Sequence, residues 1–241
     1  MNPAGPDGSR SGNPVPADDV AAMFDDIAPV YDRLNTVMTL GLDGHWRRLA
    51  VDTTGLADGE AVIDVACGTG KLAGLLAGRV GPFGRVLAVD LSPAMVEAAR
   101  ANHSDLVQLE FRVGDALALA APDDAFDAAT IAFGLRNLAD FEAGFRELAR
   151  VVRPGGRVVC LELSVPRPRA WGRVFLATFR RVAPLIGAAF GQLDAYRYLP
   201  TSLDGFPDAD EIARTMRRVG LVDVGYRRLA LGAVALHRGT V

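Results

Sequence analysis

The apolar positions along the middle of the chain come in short runs that alternate with segments of helical periodicity. The runs are rich in Val, Ile, Leu and Ala, which is typical of strands buried in a parallel sheet; they cover residues 62–65, 85–90, 109–113, 125–133 and 157–163. Helical spacing appears between most of them, at residues 71–76, 93–100 and 140–150. This alternation predicts an α/β fold with a doubly wound sheet, in which ligands bind at the carboxyl ends of the strands.

The C-terminal part departs from this alternation. A helix predicted over residues 208–219 is followed by two apolar runs, residues 221–229 and 232–237, with only a short turn between them. A parallel crossover needs about a dozen connecting residues or more, so these two strands form an antiparallel hairpin. The predicted fold is therefore a Rossmann-like sheet that is mostly parallel and ends in an antiparallel C-terminal hairpin.

Three segments lie outside the predicted sheet and its helices. Residues 1–17 are rich in Pro, Gly, Ser and Asn, which predicts a disordered tail. Residues 18–58 have helical spacing and are predicted to form an N-terminal helical cap. Residues 167–195 are predicted to be a helical insertion, which Pro184 and Gly187 split into two helices. We expect a single domain over residues 18–241.

The turn after the first strand carries the strongest sign of chemistry. It reads Gly68-Thr69-Gly70, and glycine lets a backbone turn tightly and approach a bound molecule closely. The helix that follows presents free N–H groups and a partial positive charge to that position. Asp90 ends the second strand about 20 residues later, where a carboxylate accepts hydrogen bonds from ribose hydroxyls. Together these features predict a nucleoside pocket.

The same turn leaves the nature of the ligand open. Residues 68–73 also fit the dinucleotide fingerprint G-x-G-x-x-G/A, so the motif supports either a nicotinamide or flavin cofactor or S-adenosylmethionine. It is also compatible with a strand–turn–helix that binds no ligand. The antiparallel hairpin favours the methyltransferase version of the sheet, by analogy of fold.

Composition narrows the class of protein. The chain has 241 residues, half of them hydrophobic, and its formal net charge is −3, which argues against a nucleic-acid partner. Cys67 and Cys160 lie in or beside predicted buried strands, as reduced cysteines do in a cytoplasmic protein. Neither belongs to a C-x-x-C pair, so no metal is expected. No apolar run reaches the length of a membrane span.

Longer motifs point to a family. They are the Tyr31-Asp32-x-x-Asn35 segment followed by Trp46, and residues 131–137, 150–156, 161–164, 196–199 and 232–239. Through them the chain resembles the ubiquinone/menaquinone biosynthesis C-methyltransferase family, within the class I S-adenosylmethionine-dependent methyltransferases, from about residue 24 to residue 239. It departs from that family at Asp43, where many members have His, at Gly44, where Arg is expected, and at Ala132, where a Ser often touches the cofactor.

The resemblance implies an enzyme that moves the S-adenosylmethionine methyl group to a ring carbon of a demethylated isoprenoid quinol, demethylmenaquinol in particular. Thr69 is then expected near the methionine end of the cofactor, and Asp64 near its amino group through water. The candidate cofactor-binding residues are Asp64, Gly68, Thr69, Gly70, Asp90, Asp115 and Ala116. Of these, Asp115 and Ala116 close the third strand and are expected at the adenine, where a carboxylate accepts from the exocyclic amine. Asp64 is also compatible with a buried structural acid.

Methyl transfer from a sulfonium is an in-line displacement, so positioning supplies most of the acceleration. Arg136 and Asn137 follow the fourth strand and are the candidate catalytic residues, expected to orient the acceptor oxygen or a water that removes its proton. Arg136 alternatively pairs with an acid to hold its loop. Tyr31, Tyr196 and Tyr198 are candidates for the acceptor pocket.

Other functions remain open at this stage. They are methylation of another phenolic substrate, such as a benzoquinol or a polyketide, a nicotinamide-dependent oxidoreductase, and a non-catalytic binding module. In residues 167–190, arginines lie beside a stripe of apolar residues at helical spacing. This pattern is typical either of a helix on an anionic membrane surface or of a buried helix with one solvated face. The expected location is the cytoplasm, and a peripheral location at the inner face of the membrane is the alternative.

Overall fold

The computed structural model describes residues 11–192 and 198–241. Seven strands form one sheet in the order β3-β2-β1-β4-β5-β7-β6. Their bounds are β1 Ala61–Val65, β2 Arg85–Asp90, β3 Leu109–Val113, β4 Phe126–Ala132, β5 Val152–Leu163, β6 Val222–Leu229 and β7 Val234–Thr240. The first five strands are parallel, and β7 runs antiparallel between β5 and β6. The predicted sheet and its antiparallel C-terminal hairpin are confirmed.

Helices cover both faces of this sheet and its carboxyl edge. They are α1 Ala17–Ile27, α2 Tyr31–Met38, α3 Asp43–Thr54, α4 Lys71–Val80, α5 Pro93–Asn102, α6 Phe141–Val151, α7 Arg169–Ala189 and α8 Ala209–Arg218. Three of them begin at a side chain that accepts a hydrogen bond from their first turn: Ser92 before α5, Asp140 before α6 and Asp208 before α8. Such caps satisfy backbone N–H groups that have no partner within the helix.

The strands are buried on both sides, which explains their continuous apolar character. On β1, Val62 packs into the core beneath α3 and α4, whereas Ile63 and Val65 pack into the core beneath α6 and α8. Asp64 shares the face of Val62, because alternate residues of a strand point to opposite faces. β5 begins at Val152, before the predicted start at residue 157, because Val152 pairs with Phe126 across a register shift.

The predicted disordered tail is wrong for residues 11–16. Ser11 accepts a backbone hydrogen bond from Phe141, and the N–H of Asn13 donates to Leu138 at 2.7 Å. Between them, a Cβ on Gly12 would lie 1.8 Å from the carbonyl oxygen of Ala139. The segment has little apolar area to bury. Hydrogen bonds and close backbone contact therefore hold it against the domain. Residue 17 already belongs to α1, and residues 1–10 lie outside the described residues.

The prediction that Pro184 and Gly187 split the insertion is also wrong over residues 169–189. The segment is one helix, α7, with Pro184 inside it. A proline removes one helical hydrogen bond, whereas each additional helix end leaves up to four polar groups to satisfy. Ala183 is buried, and Phe179 packs against the core beneath α6 and α8. This packing favours an uninterrupted helix. Residues 193–195 of the predicted insertion lie outside the described residues.

The core beneath α6 is expected to dominate stability. Phe145 is fully buried there, so Phe145→Ala should lower the free energy of unfolding by about 3–5 kcal/mol through lost burial and a residual cavity. Phe83 is 85% exposed, and Phe83→Ala is the matched control with little expected effect. Urea unfolding of the three proteins measures the difference. Equal losses in the two variants would contradict this assignment of the core.

Candidate active site

The carboxylate of Asp90 joins the ends of the first two strands. The N–H of Gly68 donates to Asp90 Oδ2 at 2.7 Å, and the N–H of Ser92 donates to Asp90 Oδ1 at 3.0 Å. Gly68 has a φ of +55°, a conformation that glycine adopts without steric cost. Burial raises the pKa of Asp90, although the hydrogen bonds from Ser92 and Gly68 act in the opposite direction. The carboxylate is thus fixed by two backbone donors, with lone pairs left for a ligand.

A cavity lies at this edge of the sheet, and we call it the strand-end cavity. Its walls come from the ends of successive strands: Gly68 after β1, Asp90 at the end of β2, Asp115 and Ala116 after β3, and Asn137 after β4. Helix α1 covers it with Ala17, Val20, Ala21 and Phe24. Four of the predicted cofactor residues therefore meet around one space. This follows because the carboxyl ends of parallel strands share one edge of a sheet.

The other predicted cofactor residues do not line this cavity. Thr69 Oγ1 donates to Asp32 Oδ1 at 2.7 Å, so its hydroxyl faces α2. Gly70 has a φ of +84°, and a Cβ there would lie 2.8 Å from His103 and 2.9 Å from Phe111. Gly70 thus permits close packing of the turn against its neighbours. A cofactor contact for Thr69 and Gly70 stays a prediction.

Asp64 is a buried acid with one unused oxygen. Thr130 Oγ1 donates to Asp64 Oδ1 at 2.6 Å, and Oδ2 has no hydrogen-bond partner among the described residues. Burial raises the pKa of Asp64 to about 7, and the Thr130 hydrogen bond and the charge of Arg47 partly oppose this. A cation placed beside Oδ2 would favour the ionised form. Binding of the cofactor amino group by Asp64 stays a prediction.

Arg136 forms a buried ion pair. Its Nη1 donates to Glu162 Oε1 at 2.6 Å and to the carbonyl oxygen of Phe133 at 2.6 Å. Its backbone N–H donates to Glu162 Oε2 at 3.2 Å. Arg136 is 3% exposed and Glu162 is 0% exposed. Burial acts to lower the pKa of Arg136, but the nearby Glu162 and Tyr31 more than offset it, and the pKa is raised. The pair with an acid, one of the two alternatives considered for Arg136, is present.

Asn137 and Tyr198 are joined by a hydrogen bond. The Tyr198 hydroxyl donates to Asn137 Oδ1 at 3.1 Å, and Asn13 Nδ2 donates to the Tyr198 oxygen at 2.6 Å. Tyr198 also lines a small cavity together with Tyr31 and Arg136. Tyr196, the remaining candidate tyrosine, lies outside the described residues. The N-terminal segment is therefore connected to the candidate catalytic loop.

A second cavity adjoins the first, and we call it the apolar cavity. Most of its lining is apolar and comes from α2, α3, α7, β5, β7 and neighbouring segments: Tyr31, Met38, Trp46, Phe133, Leu163, Phe175, Phe179, Leu199, Ala233 and Val234. Its polar lining residues are Asn35, Thr39, Asp43, Arg47 and Arg136. Tyr31 and Phe133 line both cavities. The arrangement suits an apolar molecule with a polar group, held next to a nucleoside.

Sequence reasoning missed a polar network between the N-terminal helices and the glycine turn. Lys71 Nζ lies 3.5 Å from Asp32 Oδ1 and 3.5 Å from Asp43 Oδ2. Asp32 also accepts from Thr69. The Tyr31-Asp32-x-x-Asn35 motif was the available signal, but its partners are distant in the chain. Glu162, the partner of Arg136, was missed for the same reason.

Within residues 11–192 and 198–241, no three or more His, Cys, Asp or Glu side chains are grouped so as to hold a metal ion. None of the helices in this part of the chain combines the length and apolar character needed to cross a membrane.

Comparison with known proteins identifies the family. The model of the ubiE/COQ5 methyltransferase family matches residues 13–241. The chain belongs to the ubiE/COQ5 methyltransferase family. This confirms the resemblance seen in the motifs and the prediction of a methyltransferase, and it goes against a nicotinamide-dependent oxidoreductase.

Relatives in the ubiE/COQ5 family span nearly the whole chain. A protein of Thermus thermophilus named demethylmenaquinone methyltransferase is 43% identical over 219 residues, which are 90% of this chain and 99% of that protein. A protein of Geobacter sulfurreducens named ubiquinone/menaquinone biosynthesis C-methyltransferase is 40% identical over 220 residues, covering 90% of this chain and 86% of that protein.

Solved structures support the fold at lower identity. The Haloferax volcanii protein described as a putative methyltransferase in complex with Trm112 has a TM-score of 0.66 at 19% identity, covering 90% of this chain and 96% of its own. A methyltransferase from Aquifex aeolicus, described as SAM-dependent, has a TM-score of 0.61 at 19% identity, covering 81% of this chain and 89% of its own. The class I methyltransferase fold is confirmed.

Asp64 is expected to make stability depend on pH. Its pKa in the folded protein is about 7, against an ordinary value of 3.8, so folding favours the protonated carboxyl. This contribution is fully present below about pH 4 and is lost as the pH rises to about 7. Relative to Asp64→Asn, the free energy of unfolding of the wild type should therefore fall between about pH 4 and about pH 7. Urea unfolding across this range measures it.

The control for this prediction is Phe83→Ala, because Phe83 is 85% exposed and its side chain does not titrate. The difference in the free energy of unfolding between this variant and the wild type is expected to stay constant with pH. An Asp64→Asn offset that is equally constant would contradict the raised pKa of Asp64.

Proposed function

We propose that this protein transfers the methyl group of S-adenosylmethionine to a ring carbon of a demethylated isoprenoid quinol, in menaquinone biosynthesis. The observation that carries this proposal is the pair of adjoining cavities that share Tyr31 and Phe133. One has a fixed carboxylate suited to a nucleoside, and the other is largely apolar. The Thermus thermophilus relative named demethylmenaquinone methyltransferase supports the choice of acceptor.

S-adenosylmethionine is proposed to occupy the strand-end cavity. The two oxygens of Asp90 are already aligned by backbone donors and would accept hydrogen bonds from the ribose hydroxyls. Asp115 and Ala116 would meet the adenine, and Asp64 would lie towards the methionine amino group. Tyr31 and Phe133 stand at the boundary between the cavities, where aromatic faces attract the sulfonium cation. No metal is proposed in the reaction.

The quinol is proposed to lie in the apolar cavity with one hydroxyl at Arg136. A guanidinium cannot act as a base at ordinary pH, but it stabilises the phenolate that makes the neighbouring ring carbon nucleophilic. Glu162 holds this guanidinium in place through a 2.6 Å ion pair. Asn137 would orient the water that receives the hydroxyl proton. The ring carbon then attacks the methyl group in line with the sulfur, which leaves as the thioether of S-adenosylhomocysteine, and positioning provides most of the rate. Loss of the hydrogen on the methylated ring carbon, as a proton to water, restores the aromatic ring.

Demethylated benzoquinol is the second candidate acceptor. It is favoured by the Geobacter sulfurreducens relative, whose name includes ubiquinone as well as menaquinone biosynthesis. The same oxygen and ring-carbon chemistry applies to both rings. The two acceptors are distinguished by offering each one separately to the purified enzyme.

The activity is tested with S-adenosylmethionine and a short-prenyl demethylated naphthoquinol, kept reduced under anaerobic conditions. Mass spectrometry is expected to find a quinone heavier by one methyl group. Asp90→Asn should weaken the binding of S-adenosylhomocysteine by about 10- to 100-fold, because a charged hydrogen-bond acceptor is lost from a largely buried position. Calorimetry measures this, with exposed Asp105→Asn as the control.

Two results would overturn the proposal. One is methyl transfer to neither the naphthoquinol nor the benzoquinol. The other is binding of S-adenosylhomocysteine by the Asp90→Asn variant with the affinity of the wild type. This result would show that the nucleoside does not bind at Asp90 in the strand-end cavity.

We also propose that residues 167–190 contact an anionic membrane surface from the cytoplasmic side, where an isoprenoid acceptor resides. Helix α7 exposes one apolar stripe at helical spacing, formed by Trp171, Val174, Val182 and Leu185. Arg173 and Arg181 are exposed on the same helix. Basic side chains beside an apolar stripe are typical of helices that lie in a membrane interface.

Vesicle flotation tests this contact. The wild-type protein is expected to float with vesicles that contain anionic lipid and less with neutral vesicles. The double variant Val182→Ser, Leu185→Ser should float less, because it removes half of the exposed stripe. Val222→Ser is the control, since Val222 is 56% exposed on the edge strand β6. Absence of binding to anionic vesicles would refute the membrane contact while leaving the proposed chemistry intact.

A further inference from the structure

Two buried arginines line the apolar cavity, and each has an unused donor. Arg136 is 3% exposed and Arg47, from α3, is 6% exposed. In both side chains Nε has no hydrogen-bond partner among the described residues. A buried N–H group without a partner is costly. Two incompletely hydrogen-bonded guanidinium groups along one cavity suit a ligand with more than one oxygen.

Arg47 stands where the two cavities meet. The centre of its guanidinium lies 5.3 Å from the centroid of the Phe133 ring, and Phe133 lines both spaces. Its charge also acts on Asp64 at the end of β1. Arg47 is therefore held by a cation–π contact rather than by a close ion pair.

Asp43, one helical turn before Arg47, also lines the apolar cavity and is 5% exposed. The polar contacts of its carboxylate within residues 11–192 and 198–241 are long: 3.3 Å from Thr39 Oγ1 to Oδ1, and 3.5 Å from Lys71 Nζ and 4.0 Å from Arg47 Nε to Oδ2. Charge-assisted hydrogen bonds are usually about 2.7–2.9 Å long. The carboxylate therefore keeps most of its capacity to accept a hydrogen bond from a ligand.

We propose that Arg47 and Asp43 bind the second ring oxygen of a para-dihydroxy aromatic acceptor. The Arg47 guanidinium donates to that oxygen, and the hydroxyl donates its own hydrogen to Asp43. The inference rests on the proposed function and deepens it, because it assigns one arginine to each oxygen of the quinol. It also selects the reduced acceptor, since the carbonyl oxygen of a quinone has no hydrogen to give to Asp43.

This pair has a binding role that differs from that of Arg136. The second oxygen is not adjacent to the reacting carbon, so its contacts leave the nucleophile unchanged. Loss of Asp43 or Arg47 is therefore expected to raise KM more than it lowers kcat. A purely structural pair on α3 would not distinguish acceptors with one hydroxyl from acceptors with two.

The test compares two acceptors under anaerobic, reducing conditions. One is a short-prenyl naphthalene-1,4-diol, and the other is the 1-naphthol that keeps only the hydroxyl next to the reacting carbon. The wild-type enzyme is expected to prefer the diol by about 10- to 100-fold in kcat/KM, because the monohydroxy acceptor leaves buried polar groups unpaired. In Asp43→Asn and Arg47→Gln the preference should fall to less than about 3-fold, mainly through KM for the diol.

Matched controls come from the same helix. Arg48 and Asp52 lie on the exposed side of α3, so Arg48→Gln and Asp52→Asn should keep the full preference for the diol. Calorimetric binding of S-adenosylhomocysteine shows whether each variant is folded. If Arg47→Gln does not bind S-adenosylhomocysteine, the acceptor preference of the isosteric Asp43→Asn variant alone decides the test.

The outcomes separate this inference from the proposed function. Full preference for the diol in a folded Asp43→Asn variant would overturn the role of the pair while the methyltransferase activity stands. A wild-type enzyme that methylates both acceptors equally would overturn it as well. Methylation of neither acceptor would overturn the naphthoquinol assignment and this inference together.

Discussion

The hydrogen bond from the Gly68 N–H to Asp90 is the contact on which the site depends. It joins the turn after β1 to the end of β2, so the glycine turn and the carboxylate have one fixed geometry. Ser92 adds a second donor and, through its side chain, caps α5. A buried carboxylate needs such partners because its charge is costly away from water. The same arrangement that stabilises Asp90 also shapes the cavity.

The N-terminal segment completes that cavity from above. Helix α1 lies over it, and Asp25 in this helix accepts hydrogen bonds from Ser92 Oγ and from the N–H of Ala94 at the start of α5. The residues before α1 are attached through Asn13. Its N–H donates to Leu138 in the loop after β4, and its Nδ2 donates to the hydroxyl oxygen of Tyr198. A carboxylate at a helix N-terminus is stabilised by free N–H groups and the helix dipole. The N-terminal segment that covers the cavity is thus attached at both of its ends.

Buried charge in the apolar cavity follows a consistent pattern. Arg136 is compensated closely by Glu162, whereas Arg47 and Asp43 are only loosely paired at 4.0 Å. A close buried pair mainly offsets the desolvation of its own charges. A loose pair leaves donors and acceptors for a ligand. The difference in pairing therefore suits one arginine to a fixed role and the other to recognition.

Sequence patterns were enough to predict the alternation of strands and helices, the C-terminal hairpin and the meeting of Gly68, Asp90, Asp115 and Ala116. These follow from local periodicity and from the rule that parallel strands end at one edge. Three-dimensional packing was needed to show that Pro184 lies inside one helix, that residues 11–16 are attached to the domain, and which partners Thr69, Arg136 and Arg47 have. Those partners are far apart in the chain, and their contacts depend on how helices pack over the sheet, which short-range patterns do not contain.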